Sequence, residues 1–106
     1  MTDLEAEVAR ARTSPHGYRE FLRTATMSVG VYVLAAGAVD HQSSHTEDEI
    51  YYVVRGHGRL RHGSVDSEAD PGTVLFVPAR VPHQFHGITE ELVLLVVFAP
   101  PERPSS

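Results

Sequence analysis

Several features that would point to a common class of function are missing from this 106-residue chain. It contains no cysteine, which excludes disulfides, thiolate nucleophiles, iron–sulfur clusters and sulfur-ligated zinc, so any bound metal must be held by nitrogen and oxygen. The net charge of −5 comes from interspersed charges of both signs and leaves no basic stripe, so we expect no nucleic-acid partner. Neither a glycine-rich phosphate loop nor a Gly-x-Ser-x-Gly elbow occurs, which disfavours phosphoryl transfer and serine hydrolysis.

Long apolar segments are missing as well. No stretch approaches the ~20 apolar residues of a membrane span, and the acidic residues 1–7 lack the apolar run of a secretory signal. We therefore expect no membrane association and a cytoplasmic location. The hydrophobic content of 42% is nevertheless enough for the core of one compact domain.

The first part of the chain differs in pattern from the rest. Residues 3–12 fit a short helix capped by Thr2. A break at residues 13–17 follows, and residues 18–24 are expected to form an irregular arm that lies across the domain or reaches a second subunit. We assign residues 1–24 to this N-terminal helix and arm.

From Met27 onward the pattern is that of a β-sheet. Apolar, β-branched segments separated by Gly and Pro turns predict strands at residues 27–35, 50–54, 59–62, 65–68, 74–77, 83–88 and 92–98. Short strands of this spacing after one small helix indicate an all-β jelly-roll barrel, which we place at residues 25–99. The polar, proline-rich residues 100–106 are expected to form a flexible tail.

One segment of the barrel concentrates imidazoles and carboxylates. Alternate side chains of an extended strand share a face. In this segment, residues 40–49, His41, Ser43, His45 and Glu49 share one parity. If the pleat is unbroken, they point into the same cavity, and His83, after a proline-punctuated core strand, is the best candidate for a partner from another strand. The pattern predicts one metal ion held inside the barrel.

The order and spacing of these residues resemble the two conserved motifs of the cupin superfamily. The positions of the first motif are occupied by Gly37, Ser43, His45, Glu49 and Gly56, with Ser43 where the first His of the family normally stands. Those of the second motif are occupied by Gly72, Pro78 and His83, with Arg80 at the usual Gly and Gly87 at the usual Asn. The resemblance covers about residues 27–98, and it implies a small single-domain cupin with the double-stranded β-helix fold.

The resemblance also implies a ligand set. It carries over to His45, Glu49 and His83 as ligands of one divalent transition metal ion, with Fe, Mn, Ni, Co and Zn all acceptable to such a set. The fourth family position is a serine, whose neutral hydroxyl is a poor ligand beside imidazole. We expect His41 to replace it; Gln42, turned inward by a one-residue bulge, is the alternative, and water is a third choice.

Three neighbours of these ligands also receive expected roles. Tyr51 has the parity of Glu49 and is our candidate catalytic residue, as a hydrogen-bond donor lining the cavity, with core packing as the alternative. Asp48 is expected to accept the distal N–H of a liganding histidine. His86 should lie on the opposite face from His83, packed or at the surface.

Two histidines and one carboxylate leave adjacent open positions on an ion, as in non-haem Fe(II) oxygenases. We therefore expect a metal-dependent enzyme acting on a small enolic or phenolic molecule, such as a dioxygenase. The alternatives are a non-redox isomerase, cyclase or lyase, a metabolite-sensing binding module and a purely structural barrel. The apolar run at residues 92–98 and the N-terminal arm resemble elements through which cupins dimerise, so a homodimer is expected.

Overall fold

The structure is a computed structural model, and it describes residues 1–40 and 44–103. These residues form a helix, α1 (Leu4–Arg12), a short 3₁₀ turn (Pro15–Gly17) and six strands, β1 (Tyr18–Arg23), β2 (Ser28–Leu34), β3 (Asp48–His62), β4 (Val65–Ala69), β5 (Val74–Val77) and β6 (His83–Ala99). The strands pair antiparallel in the order β1-β2-β6-β3-β4, and β5 pairs with β3. The predicted all-β jelly-roll barrel with a short N-terminal helix is confirmed.

β3 and β6 are each longer than the sequence pattern predicts, because each joins two of the predicted strands. Their mutual pairing is irregular between Val53 and Arg59, where Gly56 has a φ of 97°. A Cβ at Gly56 would lie 2.0 Å from the carbonyl oxygen of Glu91, so only glycine fits this close approach. In a sequence, a glycine can indicate either the end of a strand or a bulge. Gly56 lies at a bulge, which bends β3 and β6 around the barrel.

The N-terminal segment departs from the prediction at two points. Residues 18–24 are not an irregular arm, because Tyr18–Arg23 forms β1 and pairs with the edge of β2 through a bulge. The helix is capped by Asp3, whose carboxylate accepts a hydrogen bond from the amide of Ala6 at 3.1 Å, whereas the Thr2 hydroxyl donates to Glu7. Both differences arise from contacts in the folded chain that the local sequence pattern does not reveal.

Two apolar clusters hold the domain together. The inner cluster fills the barrel and includes Tyr51, Phe85 and Phe98, which are at most 2% exposed. The outer cluster lies where α1 packs on β2 and β6, and its buried members are Val8, Ala11, Val31, Val33 and Val93. In the strand predicted at residues 92–98, residues 92–96 are therefore covered on both faces, since they belong alternately to the inner and outer clusters.

The start of the predicted flexible tail is bound to the barrel. The amide of Glu102 donates to Ser28 Oγ at 2.9 Å, and its carbonyl accepts from Arg23 Nη1 at 3.0 Å. The amide of Arg103 donates to Glu47 Oε2 at 3.4 Å. Residues 104–106 lie outside the described part of the chain. In that described part, α1 and the 3₁₀ turn are too short to cross a membrane.

Candidate metal centre

Three of the predicted ligands converge inside one end of the barrel. A donor atom from each of His45, Glu49 and His83 lies within 4.8 Å of the others. Glu49 is the second residue of β3 and His83 is the first residue of β6, while His45 lies in the loop before β3. Along β3, Glu49 and Tyr51 are buried and Ile50 is exposed, so the predicted alternation of faces is observed at this end of the strand.

His45 is presented by a turn rather than by a strand. Its carbonyl accepts a hydrogen bond from the amide of Arg80 at 2.6 Å. Arg80 is in the left-handed region with a φ of 66°, at the position where the motif resemblance leads us to expect glycine. The His45 ring packs against Phe98 with ring centroids 5.1 Å apart, and its centroid lies 5.5 Å from that of His83. The turn after β5 therefore fixes where His45 meets the other two side chains.

Glu49 and His83 form a close, buried pair. Nε2 of His83 lies 3.0 Å from Oε1 of Glu49, and each side chain is 1% exposed. Among the described residues, neither oxygen of Glu49 accepts a hydrogen bond of acceptable geometry. A carboxylate buried in this way is costly unless a positive charge or donor meets it.

The tautomer of His83 shows what kind of group can meet the Glu49 carboxylate. Nδ1 of His83 lies 3.0 Å from the carbonyl oxygen of Val81, which can only accept, so Nδ1 carries a proton. In a neutral ring Nε2 then carries the lone pair and faces Oε1 of Glu49. Two acceptors 3.0 Å apart repel each other unless a proton or a metal ion lies between them.

Either a proton on Nε2 of His83 or a metal ion between the two side chains can remove this repulsion. Burial acts to lower the pKa of His83, but contact with the Glu49 carboxylate and its charge outweigh burial, so the pKa of His83 is raised. A metal ion fits equally well, because two ligand bonds of about 2.1 Å at a right angle place their donor atoms about 3 Å apart. The nitrogen and oxygen donors present suit a divalent transition metal.

Tyr51 points into the barrel interior, as its parity predicts. The side chain is fully buried, and its hydroxyl is 3.1 Å from Nε2 of His83. Its ring packs edge-on against Phe85 with centroids 4.9 Å apart. Tyr51 therefore serves the core and also presents a polar group to the candidate site.

Glu102, which the sequence pattern did not single out, also reaches the site. Its Oε2 lies 3.5 Å from Nδ1 of His45, and 25% of its side chain is exposed. Burial, together with the charges of Glu49 and Glu47, raises the pKa of Glu102 to about 7. A single acidic residue in a proline-rich segment has no periodicity or motif that would mark it.

The structure does not place the remaining predicted residues with His45, Glu49 and His83. Oδ1 of Asp48 accepts a hydrogen bond from the amide of Ala79 at 2.9 Å, so this carboxylate fixes the turn after β5 instead of supporting a histidine. His86 is partly exposed and pairs with Asp66 at 2.7 Å, as expected for a residue outside the site. The candidates for the fourth position, His41, Gln42 and Ser43, lie outside the described residues.

Comparison with known proteins agrees with the architecture. The family model described as "Cupin domain" matches residues 30–98. An uncharacterized protein of Streptomyces coelicolor is 45% identical over 102 residues, which cover 96% of this chain and 94% of that protein.

Solved structures show the same fold. The crystal structure of TT1209 from Thermus thermophilus is 27% identical, with a TM-score of 0.76 over 95% of this chain and 97% of the other. The DMSP lyase DddQ from Ruegeria pomeroyi is 22% identical, with a TM-score of 0.67 over 72% of this chain and 39% of that one, a likeness that shows the fold alone. Cupin proteins often bind metal ions and act on small molecules. With the family model matching most of its length, this chain belongs to the cupin domain family.

Proposed function

We propose that His45, Glu49 and His83 bind one divalent transition metal ion. The observation that carries this proposal is the buried contact between Glu49 Oε1 and His83 Nε2, with a carboxylate that accepts no hydrogen bond among the described residues. Leaving such a charge uncompensated costs several kcal/mol, of the order estimated for one buried ion. A bound cation removes that cost and uses the lone pairs that face each other.

The chemistry we propose is that of a metal-dependent enzyme acting on a small enolic or phenolic molecule, such as a non-haem dioxygenase. The ion, when bound, would supply Lewis acidity or oxygen activation at the positions that the three side chains leave open. His41 is our proposed fourth ligand, with Gln42 or water as alternatives. Fe, Mn, Ni, Co and Zn are all compatible with these donors, and availability selects among them.

The protein's own residues would bind and orient the substrate. Phe85 and Phe98 line the interior next to Tyr51 and His45 and keep water away from the reacting atoms. We propose Tyr51 as the catalytic residue that donates a hydrogen bond or a proton to substrate, because its hydroxyl lies within 3.1 Å of His83. Tyr51→Phe should keep one metal ion per chain and lower turnover, which metal analysis and steady-state rates on the same samples would check.

The same hydroxyl favours a second candidate function. A non-redox isomerase, cyclase or lyase needs a group that moves a proton while the metal polarises a carbonyl, and Tyr51 is placed to do so. Oxygen uptake by the Fe(II)-loaded protein over catechols, quinols and β-diketones separates these classes. Uptake with product formation supports a dioxygenase, product without uptake supports the non-redox enzyme, and tight binding with neither supports a metabolite sensor.

Metal binding itself is tested by elemental analysis and calorimetric titration of the purified protein. We expect one divalent ion per chain in the wild type and none in His83→Ala. The matched control is His86→Ala, which removes an imidazole three positions along β6 that pairs with Asp66 instead. A wild type that takes up no metal, or equal retention by both variants, would refute the proposed site.

We also propose that the chain forms a homodimer. The outer face of β3 and β5 exposes four large apolar side chains that are cross-strand neighbours, namely Ile50 beside Phe76 and Tyr52 beside Val74. A contiguous apolar face of this kind favours a protein partner, and a second copy would cover it by the same residues. Light scattering should give a dimer mass for the wild type and for Val65→Ser, an exposed valine on β4, and a monomer mass for Phe76→Ser. A monomeric wild type would contradict the proposal.

A further inference from the structure

The C-terminal segment places a carboxylate directly behind one of the candidate ligands. Oε2 of Glu102 lies 3.5 Å from Nδ1 of His45, and both side chains are mostly buried, with 25% and 18% exposed. The set of mutually close donor atoms among the described residues consists of His45, Glu49 and His83, and Glu102 is not a member. Glu102 therefore approaches one ligand of the set and not the set as a whole.

The position of Glu102 does not depend on its own side chain. Its amide donates to Ser28 Oγ at 2.9 Å, and its carbonyl accepts from Arg23 Nη1 at 3.0 Å. Ser28 is fully buried at the start of β2. These main-chain contacts hold the segment against β1 and β2, so the carboxylate is delivered to His45 by a fixed backbone.

The contact has a consequence for the histidine. A carboxylate, when ionised, can only accept hydrogen bonds, so this 3.5 Å ion-pair contact favours the neutral tautomer of His45 with its proton on the nitrogen that faces Glu102. In that tautomer, Nδ1 of His45 carries the proton and Nε2 has the lone pair. His83 has the same arrangement, with Nδ1 facing the carbonyl oxygen of Val81. Each histidine thus has an acceptor behind Nδ1.

We propose that Glu102 is a positioning residue of the metal centre, which accepts the Nδ1 proton of His45 and directs Nε2 toward the ion. The inference rests on the metal binding proposed above. An acceptor behind a liganding imidazole fixes its tautomer and ring orientation and raises its basicity, and loss of such a partner typically weakens metal binding by about 10- to 100-fold. The role expected for Asp48 from the sequence thus falls to a residue distant along the chain.

Competition titrations with Zn(II) test the proposal on three variants. We expect Glu102→Ala to bind about 10- to 100-fold more weakly than the wild type. Glu102→Gln should lose less, because its amide oxygen still accepts the Nδ1 proton. Glu20→Gln is the matched control, since Glu20 contributes negative charge near Glu102 and pairs with Arg23 instead of His45. It should bind within about twofold of the wild type, as expected for an exposed charge in water.

The outcomes separate this inference from the proposed function. A wild type that binds no Zn(II) refutes metal binding itself. Metal binding by the wild type with unchanged affinity in Glu102→Ala, or with equal losses in Glu102→Ala and Glu20→Gln, overturns the role of Glu102 alone. Complete loss of binding in Glu102→Ala, as for a ligand, also overturns a positioning role.

The wild type alone gives a second test, through the protonation and coordination of the His45 ring nitrogens. In ¹⁵N spectra of the Zn(II)-loaded wild type, His45 should show a protonated Nδ1 and a coordinated Nε2. Coordination through Nδ1 would overturn the proposal. The metal-free Glu102→Ala protein should keep the wild-type circular dichroism and melting temperature, because the main-chain anchors of the segment remain.

Discussion

Glu7 and Glu49 are both buried glutamates, 3% and 2% exposed, and their surroundings differ completely. Glu7, on α1, accepts hydrogen bonds from the Thr2 hydroxyl, from Arg10 at 3.1 Å and from Arg19 at 2.7 Å. The pKa of Glu7 is lowered by these partners, chiefly by the Thr2 hydroxyl and Arg19. Glu49, inside the barrel, has no arginine and accepts no hydrogen bond among the described residues.

The two carboxylates therefore have different roles. The partners of Glu7 compensate its negative charge within the folded chain, so it ties α1 to β1 and needs nothing from outside. Among the described residues, the ionisable side chain paired with Glu49 is His83, whose Nε2 is also the atom that a metal ion would bind. A buried charge that accepts no hydrogen bond from the described residues points to a ligand site, which is why we place the metal there.

The largest expected effect comes from neutralising Glu49. Glu49→Gln keeps the shape of the side chain and removes the charge, so metal affinity should fall more than about 100-fold, beyond the range for a residue that only supports a ligand. Competition titration with Zn(II) measures this, and Glu7→Gln is the matched control because it removes a buried charge elsewhere. Equal Zn(II) affinity in the two variants would contradict a metal-binding role for Glu49.

Neutralising Glu7 should have the opposite profile. Glu7→Gln leaves Arg10 and Arg19 without their carboxylate, so the melting temperature should fall while metal affinity stays unchanged. Because the folded-state pKa of Glu7 lies below its ordinary value of 4.5, this stabilisation is present above that pH and is lost as the pH falls through the folded-state pKa. Thermal melts of both proteins should therefore converge in acid, and a constant difference down to low pH would contradict the ion-pair account.

The smallest expected effect concerns the turn that presents His45. Arg80 has a φ of 66°, which costs a side chain about 1 kcal/mol or more, whereas glycine adopts this conformation freely. Allowing for the greater freedom of glycine in the unfolded chain, Arg80→Gly should stabilise the protein by about 0.5 to 1 kcal/mol. Urea denaturation would measure it against Arg61→Gly, a change within regular β3 that should destabilise. A loss of stability in Arg80→Gly would show that the arginine side chain has a structural role.

The parts of the site that depend on local pattern could be predicted from the sequence. Alternation along β3 places Glu49 and Tyr51 inside the barrel, and the proline turn before His83 places it at the start of a strand. The parts that depend on tertiary contacts could not. β1 exists because β2 offers it an edge, and Glu102 reaches His45 because its backbone binds Ser28 and Arg23.

The buried charge of Glu49 is proposed above to bind a cation. Melting temperatures of wild type and Glu49→Gln, each measured with and without Zn(II), test this proposal. We predict that Zn(II) stabilises the wild type alone, by RT ln(1 + [Zn]/Kd), and that metal-free Glu49→Gln is at least as stable as metal-free wild type. A metal-free Glu49→Gln protein that melts well below the wild type, with no effect of Zn(II) on either protein, would contradict the claim.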